Sequence, residues 1–298
     1  MKKHILSLVL ALTLCLGLTT PSFAVNTETS FLESGSASIN KLSKEEIAQL
    51  LEENPLTLPD NVFDQVPSCS NPYSTGKVKA SALQTATNRL NALRQITGLP
   101  DVQLDLRLSE QAQYGAVIIA AQGALNHNPS KPSDMDNDFY EKAYDATSSS
   151  NLYAGKTLTT AVDGFMNDSD ASNIDRLGHR RWQLNPTLGK IGFGYAESDT
   201  IYRTYVAEKV FDRSGKCSDY EFVAWPASGN FPNSLSGFEQ NTAWSVSLNP
   251  NKYSAPRQSD LTVTLTRESD GKTWSFQGSN YTASGSGSYF HVDTGNYG

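Results

Sequence analysis

Histidine, cysteine and long apolar runs are all scarce in this chain. Its 298 residues include four His, three Cys and three Met. The only sustained apolar run is Ile5 to Leu18, too short to span a bilayer with margin, and a mean hydropathy of -0.42 excludes a protein of several membrane spans. Basic charge is also short, with 24 Lys+Arg against 31 Asp+Glu and a net charge of -7. A surface of that sign opposes nonspecific binding to nucleic acid or to an anionic bilayer, because phosphates need Lys/Arg clusters. Several motifs are missing too: no G-x-S-x-G elbow, no H-E-x-x-H helix and no G-x-x-x-x-G-K-[ST] loop. Gly192-Phe193-Gly194 lacks the third glycine of a nucleotide fingerprint. The commonest hydrolase and nucleotide-enzyme designs are therefore disfavoured.

What is present begins with a leader. Lys2 and Lys3, the run from Ile5 to Leu18, and Ser22-Phe23-Ala24 have the order of a cleavable secretory signal, predicting residues 1–24 as signal peptide and a secreted, extracellular product. Removing it takes two bases and no acid, leaving 22 basic and 31 acidic residues and a net charge of -9. It also removes Cys15, so that Cys69 and Cys217 remain in a compartment where a disulfide persists. One pair has one connectivity. A Cys69–Cys217 bridge and two free thiols both stay open.

Residues 25–78 read as a flexible leader holding one short helix, which Ser43 and Glu46 start as a capping box, and a proline-rich extended linker. A main domain spans 79–229. Ser81 with Gln84, and Ser109, are expected to cap two helices, the second buried on most sides by Ala112, Ala116, Ile118 and Ile119. A third helix is expected from about Thr159 to Asn167 and a short one near 172–177. Strands follow at Lys190 to Ala196, Thr200 to Val210 and Glu221 to Trp225, rich in β-branched and aromatic residues. Helices first and strands afterwards predict an α+β layered domain. After a linker at 230–241, residues 242–298 read as a small sandwich-like all-β module, with Asp270-Gly271 as a hairpin turn.

Three histidines survive signal removal, His127, His179 and His291, and the last alternates with Phe290 and Val292 as a strand surface residue. Asp134, Asp136 and Asp138 alternate as in a calcium loop. Phe139 stands where that loop needs glycine, so they read as a solvated acidic loop. Trp182 and Trp225 read as core packing.

Gly178-His179-Arg180, Leu184-Asn185-Pro186 and Ile191-Gly192-Phe193-Gly194, with the opening Leu90-Asn91 and Arg94, resemble the bacterial branch of the CAP superfamily, the cysteine-rich secretory protein, antigen 5 and pathogenesis-related 1 proteins. The resemblance covers residues 83 to about 226. It implies an α-β-α sandwich with a cleft lined by two histidines and two glutamates, sometimes holding a divalent metal. His127 and His179 take the histidine positions. The family's G-E-N-L appears as Ser149-Ser150-Asn151-Leu152, and its W-x-x-E as Phe165-Met166-Asn167-Asp168, so Ser150 and Asp168 replace the acids. The expected ligand cleft is thus His127, Ser150, Asn151, Asp168 and His179. The expected metal set, for zinc, is His127, His179 and Asp168, which barely supply the three protein ligands of a catalytic zinc, Ser150 being a poor neutral ligand.

Three readings follow. One is a secreted binding or interaction module for a lipid, a glycan or a metal, with envelope polymer or another extracellular protein as partner. The others are an extracellular hydrolase using His179, with His127 as the weaker candidate, and a non-catalytic structural exoprotein.

Overall fold

A computed structural model describes residues 9–14, 42–170, 173–174, 176–235, 243–254, 259, 262–276, 281–284 and 289–293. From the N-terminus run β1 (Val9–Leu14), α1 (Lys44–Glu53), β2 (Phe63–Gln65), β3 (Lys77–Val78) and α2 (Ala80–Ile96). Then come β4 (Gln103–Leu104), α3 (Leu106–Gln122), α4 (Asn137–Ser148), β5 (Ser150–Ala154), α5 (Leu158–Asn167) and α6 (Gly178–Gln183). The remainder is β6 (Lys190–Glu197), β7 (Thr204–Lys209), β8 (Phe222–Trp225), β9 (Ala243–Leu248), β10 (Thr262–Arg267), β11 (Thr273–Phe276), β12 (Tyr281–Ser284) and β13 (Tyr289–Asp293).

The central sheet has the order β4-β6-β7-β5. Successive strand residues point to opposite faces, and the buried side chains divide accordingly. Ile191, Phe193, Tyr195, Val206 and Val210 join the core built with α2 and α5, including Leu90, Leu93, Ile96, Val162 and Phe165. Leu152, Ala196, Tyr205 and Ala207 join a second core with α3 and α4. The expected α-β-α sandwich is the observed architecture, one helical layer on each face.

The layer of α3 lies unusually close to β6. A Cβ on Gly192 would come within 2.4 Å of the Leu108 and Ser109 backbone, and one on Gly194 within 2.3 Å of the Ala112 carbonyl. Beyond Ile191, β6 has no β4 residue to pair with, and α3 side chains take over that role. The Tyr195 N–H donates to Gln113 Oε1 at 2.8 Å, Gln113 Nε2 donates to the Tyr195 carbonyl at 2.6 Å, and the Phe193 N–H donates to Ser109 Oγ at 3.2 Å.

Helix starts follow local capping, with two departures from expectation. Ser43 and Glu46 form the reciprocal box at α1. At α2 no side chain caps. The Lys79 N–H is spent on the Val62 carbonyl, and the helix begins directly after β3. At α3 the cap is Asp105, which accepts from the Arg107 and Leu108 N–H groups; Ser109 is one turn inside. The acidic alternation at 134–138 leads into a helix: Asp136 caps α4 by accepting from the Asp138 and Phe139 N–H groups. The short helix expected near 172–177 falls partly outside the described residues, and a short helix, α6, follows it at Gly178–Gln183.

The proline-rich stretch before α2 is extended, as prolines require, and it is also packed. Phe63 pairs with Val78 across β2 and β3, and Val62, Phe63 and Ile47 enter the larger core. Arg89 binds Asp163 through two hydrogen bonds and donates to the Asn54 carbonyl, tying α2 to α5 and to the end of α1.

At the other end, β8 pairs with β9 in a second sheet of order β12-β13-β9-β8. β10 and β11 form the antiparallel hairpin that Asp270-Gly271 predicts, with Gly271 at φ 70, and β1 runs parallel to β10. No described helix is long and apolar enough to cross a membrane.

Candidate functional site

The C-terminus of α5 and the N-terminus of α6 build the site. Two residues there adopt left-handed backbone conformations that L side chains rarely occupy, Asp168 at φ 51 and Leu177 at φ 49. Asp tolerates this region better than most. Asp168 ends α5, Leu177 starts α6, and the two bends bring Asp168 and His179 side by side.

Asp168 is buried and His179 Nδ1 lies 2.9 Å from its Oδ1. A carboxylate oxygen accepts, so Nδ1 carries the proton and donates it. The Asn173 amide donates to the same oxygen and sits 3.0 Å from Nδ1. The other carboxylate oxygen accepts the Arg180 N–H at 3.1 Å. Phe165 packs on the imidazole with ring centres 5.2 Å apart. The His179 side chain is 25% exposed, and Nε2 makes no hydrogen bond to a described residue. The result is a ring fixed in one tautomer with its free nitrogen available.

Behind it lies a carboxylate that sequence reasoning missed. Glu208 on β7 sits opposite Asn151 on β5. It is fully buried, accepting from Asn151 Nδ2 and Gln183 Nε2, each at 2.9 Å. Burial pushes its carboxyl up to about 7, against the opposing pull of those two hydrogen bonds and the charge of His179. Asn151 also donates to the His179 carbonyl at 3.4 Å. The signal was available: Glu208 falls in phase with Val206 and Val210, on the inward face of an apolar strand.

The expected cleft residues are not gathered as a set. Asn151, Asp168 and His179 come together. Ser150 faces the opposite layer, because neighbours on a strand point apart; its hydroxyl is buried without a partner, and it makes no bond to His179. His127 belongs to that opposite layer too. It is exposed, its Nδ1 bonds the Thr147 carbonyl of α4 at 2.8 Å, and Thr147 Oγ1 returns a bond to the His127 carbonyl. The two histidines share no hydrogen-bond partner.

The metal implied by the resemblance does not fit these residues. Among the described residues no three His, Cys, Asp or Glu come together as a metal-binding group, and His127, bonded to Thr147, stands in the layer opposite Asp168 and His179. Both Cys69 and Cys217 are free thiols. They pack against different cores, Cys69 with the α3–α4 layer and Cys217 with the other. His291 lies in β13, and its side chain falls outside the described residues.

The site thus lies in a layered α-β-α domain, where Gly178-His179-Arg180 opens α6 beside the buried carboxylate of Asp168. Residues 87–209 match the family model for CAP, the cysteine-rich secretory protein family, and this part of the chain is a CAP domain. An outer surface protein from Borrelia burgdorferi is similar at 17% identity over 43% of this chain and 91% of its own, with a TM-score of 0.28, too low to bear on function. No curated protein matches the chain.

Proposed function

We propose that this is an extracellular CAP protein that acts as a binding module, taking a hydroxyl-bearing ligand, an envelope glycan, at His179. The observation that carries the reading is the anchored imidazole: Asp168 holds Nδ1, and Nε2 is left free on a partly exposed ring. A neutral imidazole nitrogen accepts a hydroxyl proton, and the net charge of -9 after signal removal disfavours anionic headgroups. The N-terminal leader supports export. Cleavage after Ala24 would remove β1 and leave β10 paired only with β11.

Purified full-length protein would be titrated with soluble peptidoglycan fragments and compared with His179→Ala and His127→Ala. Loss of binding in His179→Ala alone, with both variants still folded, is the expected result. Equal binding by wild type and His179→Ala overturns the reading.

A hydrolase reading draws on the same geometry, since an imidazole oriented by a carboxylate takes a proton from water. It predicts release of new reducing ends from peptidoglycan, abolished in His179→Ala.

A further inference from the structure

We infer that Arg180 is a positioning residue for the His179 site, and that strand β9, outside the family match, is a working part of that site. The importance of the inference rests on the binding role of His179 proposed above.

The Arg180 side chain is among the largest fully buried ones. Its guanidinium makes four hydrogen bonds and none is to a carboxylate. Nε donates to the Met166 carbonyl at 2.6 Å and Nη2 to the Asn167 carbonyl at 2.9 Å. Nη1 donates to the Ala243 carbonyl at 2.7 Å and to Ser245 Oγ at 3.1 Å. Met166 and Asn167 close the last turn of α5, where carbonyls lack helical partners and a cation suits the helix dipole. One planar fork therefore holds the end of α5 on one side and β9 on the other.

The next residue after that turn is Asp168, strained at φ 51, which also accepts the Arg180 backbone N–H and orients His179. A left-handed aspartate costs free energy and persists only where its surroundings hold it. Here they do so from three directions: Arg180, Asn173 and His179. The Coulomb attraction of Asp168 offsets part of the burial that lowers the Arg180 pKa to about 10, so the fork stays charged at neutral pH. The chain of contacts runs from β9 to the guanidinium, to residues 166–168, to the imidazole. Every link is a hydrogen bond or a peptide bond.

The test uses full-length protein carrying 15N-labelled histidine, at about pH 8.5, above the ordinary imidazole range. Long-range proton–nitrogen spectra read the tautomer of each ring. Wild type should show His179 with its proton on Nδ1. Arg180→Lys keeps the charge and loses the fork, and should lower the ratio of Nδ1–H to Nε2–H forms by roughly tenfold, the scale of one charge-assisted hydrogen bond. Asp168→Asn supplies the reference pattern for a released ring. Ser245→Ala removes a single bond to Nη1 and should move the same signals by a smaller amount, leaving those of His127 unchanged. Lower melting with unmoved His179 signals in Arg180→Lys overturns the inference. Should Arg180→Lys fail to fold, unmoved His179 signals in folded Ser245→Ala overturn it equally. The readout needs no ligand, so failure of the glycan reading leaves this result standing on its own.

Discussion

Glu208 makes the stability of this protein fall as pH rises. Its carboxyl titrates near 7 in the folded chain against an ordinary 4.5. Below 4.5 the group is protonated in folded and unfolded states alike. Between those values the unfolded chain releases its proton and the folded chain keeps it, so stability is lost progressively and the loss is complete above about 7. At about 1.4 kcal/mol per pH unit the full effect is about 3 kcal/mol. Glu208→Gln removes the titration while keeping the shape. The new amide has a place to donate, because Gln183 Oε1 is buried without a partner and could turn to accept from it. Urea unfolding followed by tryptophan fluorescence, from about pH 4 to pH 8, gives stability for both proteins. Carboxylates elsewhere titrate in both and cancel in the difference. The wild-type value should drop relative to Glu208→Gln by about 3 kcal/mol across that range. Parallel profiles would refute the argument and mean that water or a neighbouring cation solvates Glu208.

Asp168→Ala leaves the His179 ring, the Asn173 amide and the Arg180 N–H short of an acceptor, and should cost about 2 to 4 kcal/mol in the same urea assay. Gln113→Leu strips both backbone groups of Tyr195 of their partners and should cost about 2 to 3 kcal/mol by thermal melting. Gly194→Ala pushes a methyl into the Ala112 backbone; a loss of about 3 kcal/mol or more is expected, since neither partner is a flexible side chain. Cys69 and Cys217 are free, so two thiols per chain lacking residues 1–24 should react with a chromogenic disulfide after denaturation without reductant. In the native protein Cys69 should react slowly, because burial pushes its thiol up to about 11.

Much of this fold was legible in the sequence because it is written in short-range terms. The Ser43–Glu46 box, the buried face of α3 and the Asp270-Gly271 turn each depend on residues within one turn or one hairpin of each other, and each stands where expected. The helix starts at α2 and α3 differ from expectation for separate reasons. Asp105 outranks Ser109 by position, and the bond from Lys79 to Val62 is long-range information that no window contains. Helix α4 was missed because its opening aspartates look like solvent-facing loop residues, whereas one of them is the cap.

The site divides in the same way. Asn151, Asp168 and His179 were found through motif spacing, and they meet. Ser150 and His127 were assigned to the same hollow by analogy of position. Strand alternation sends Ser150 to the other face, and the bond to Thr147 holds His127 there. Glu208 was overlooked because a carboxylate between Ala207 and Lys209 looks ordinary until β5 is placed beside β7. Pairing of strands 57 residues apart, Asn151 with Glu208, is what creates the buried acid.

The core does not respect the borders of the recognisable domain, and this matters to anyone who cuts the gene. A fragment beginning at residue 87 would sever α2 in mid-helix and discard Ile47, Val62, Phe63 and Val78. One ending at residue 209 would strip the larger hydrophobic cluster of Val223 and Trp225 and maroon the Arg180 cation without Ala243 and Ser245. Expression trials should therefore carry the chain from residue 42 through at least residue 254, and insolubility of shorter pieces would report on missing walls, not on an unstable family fold.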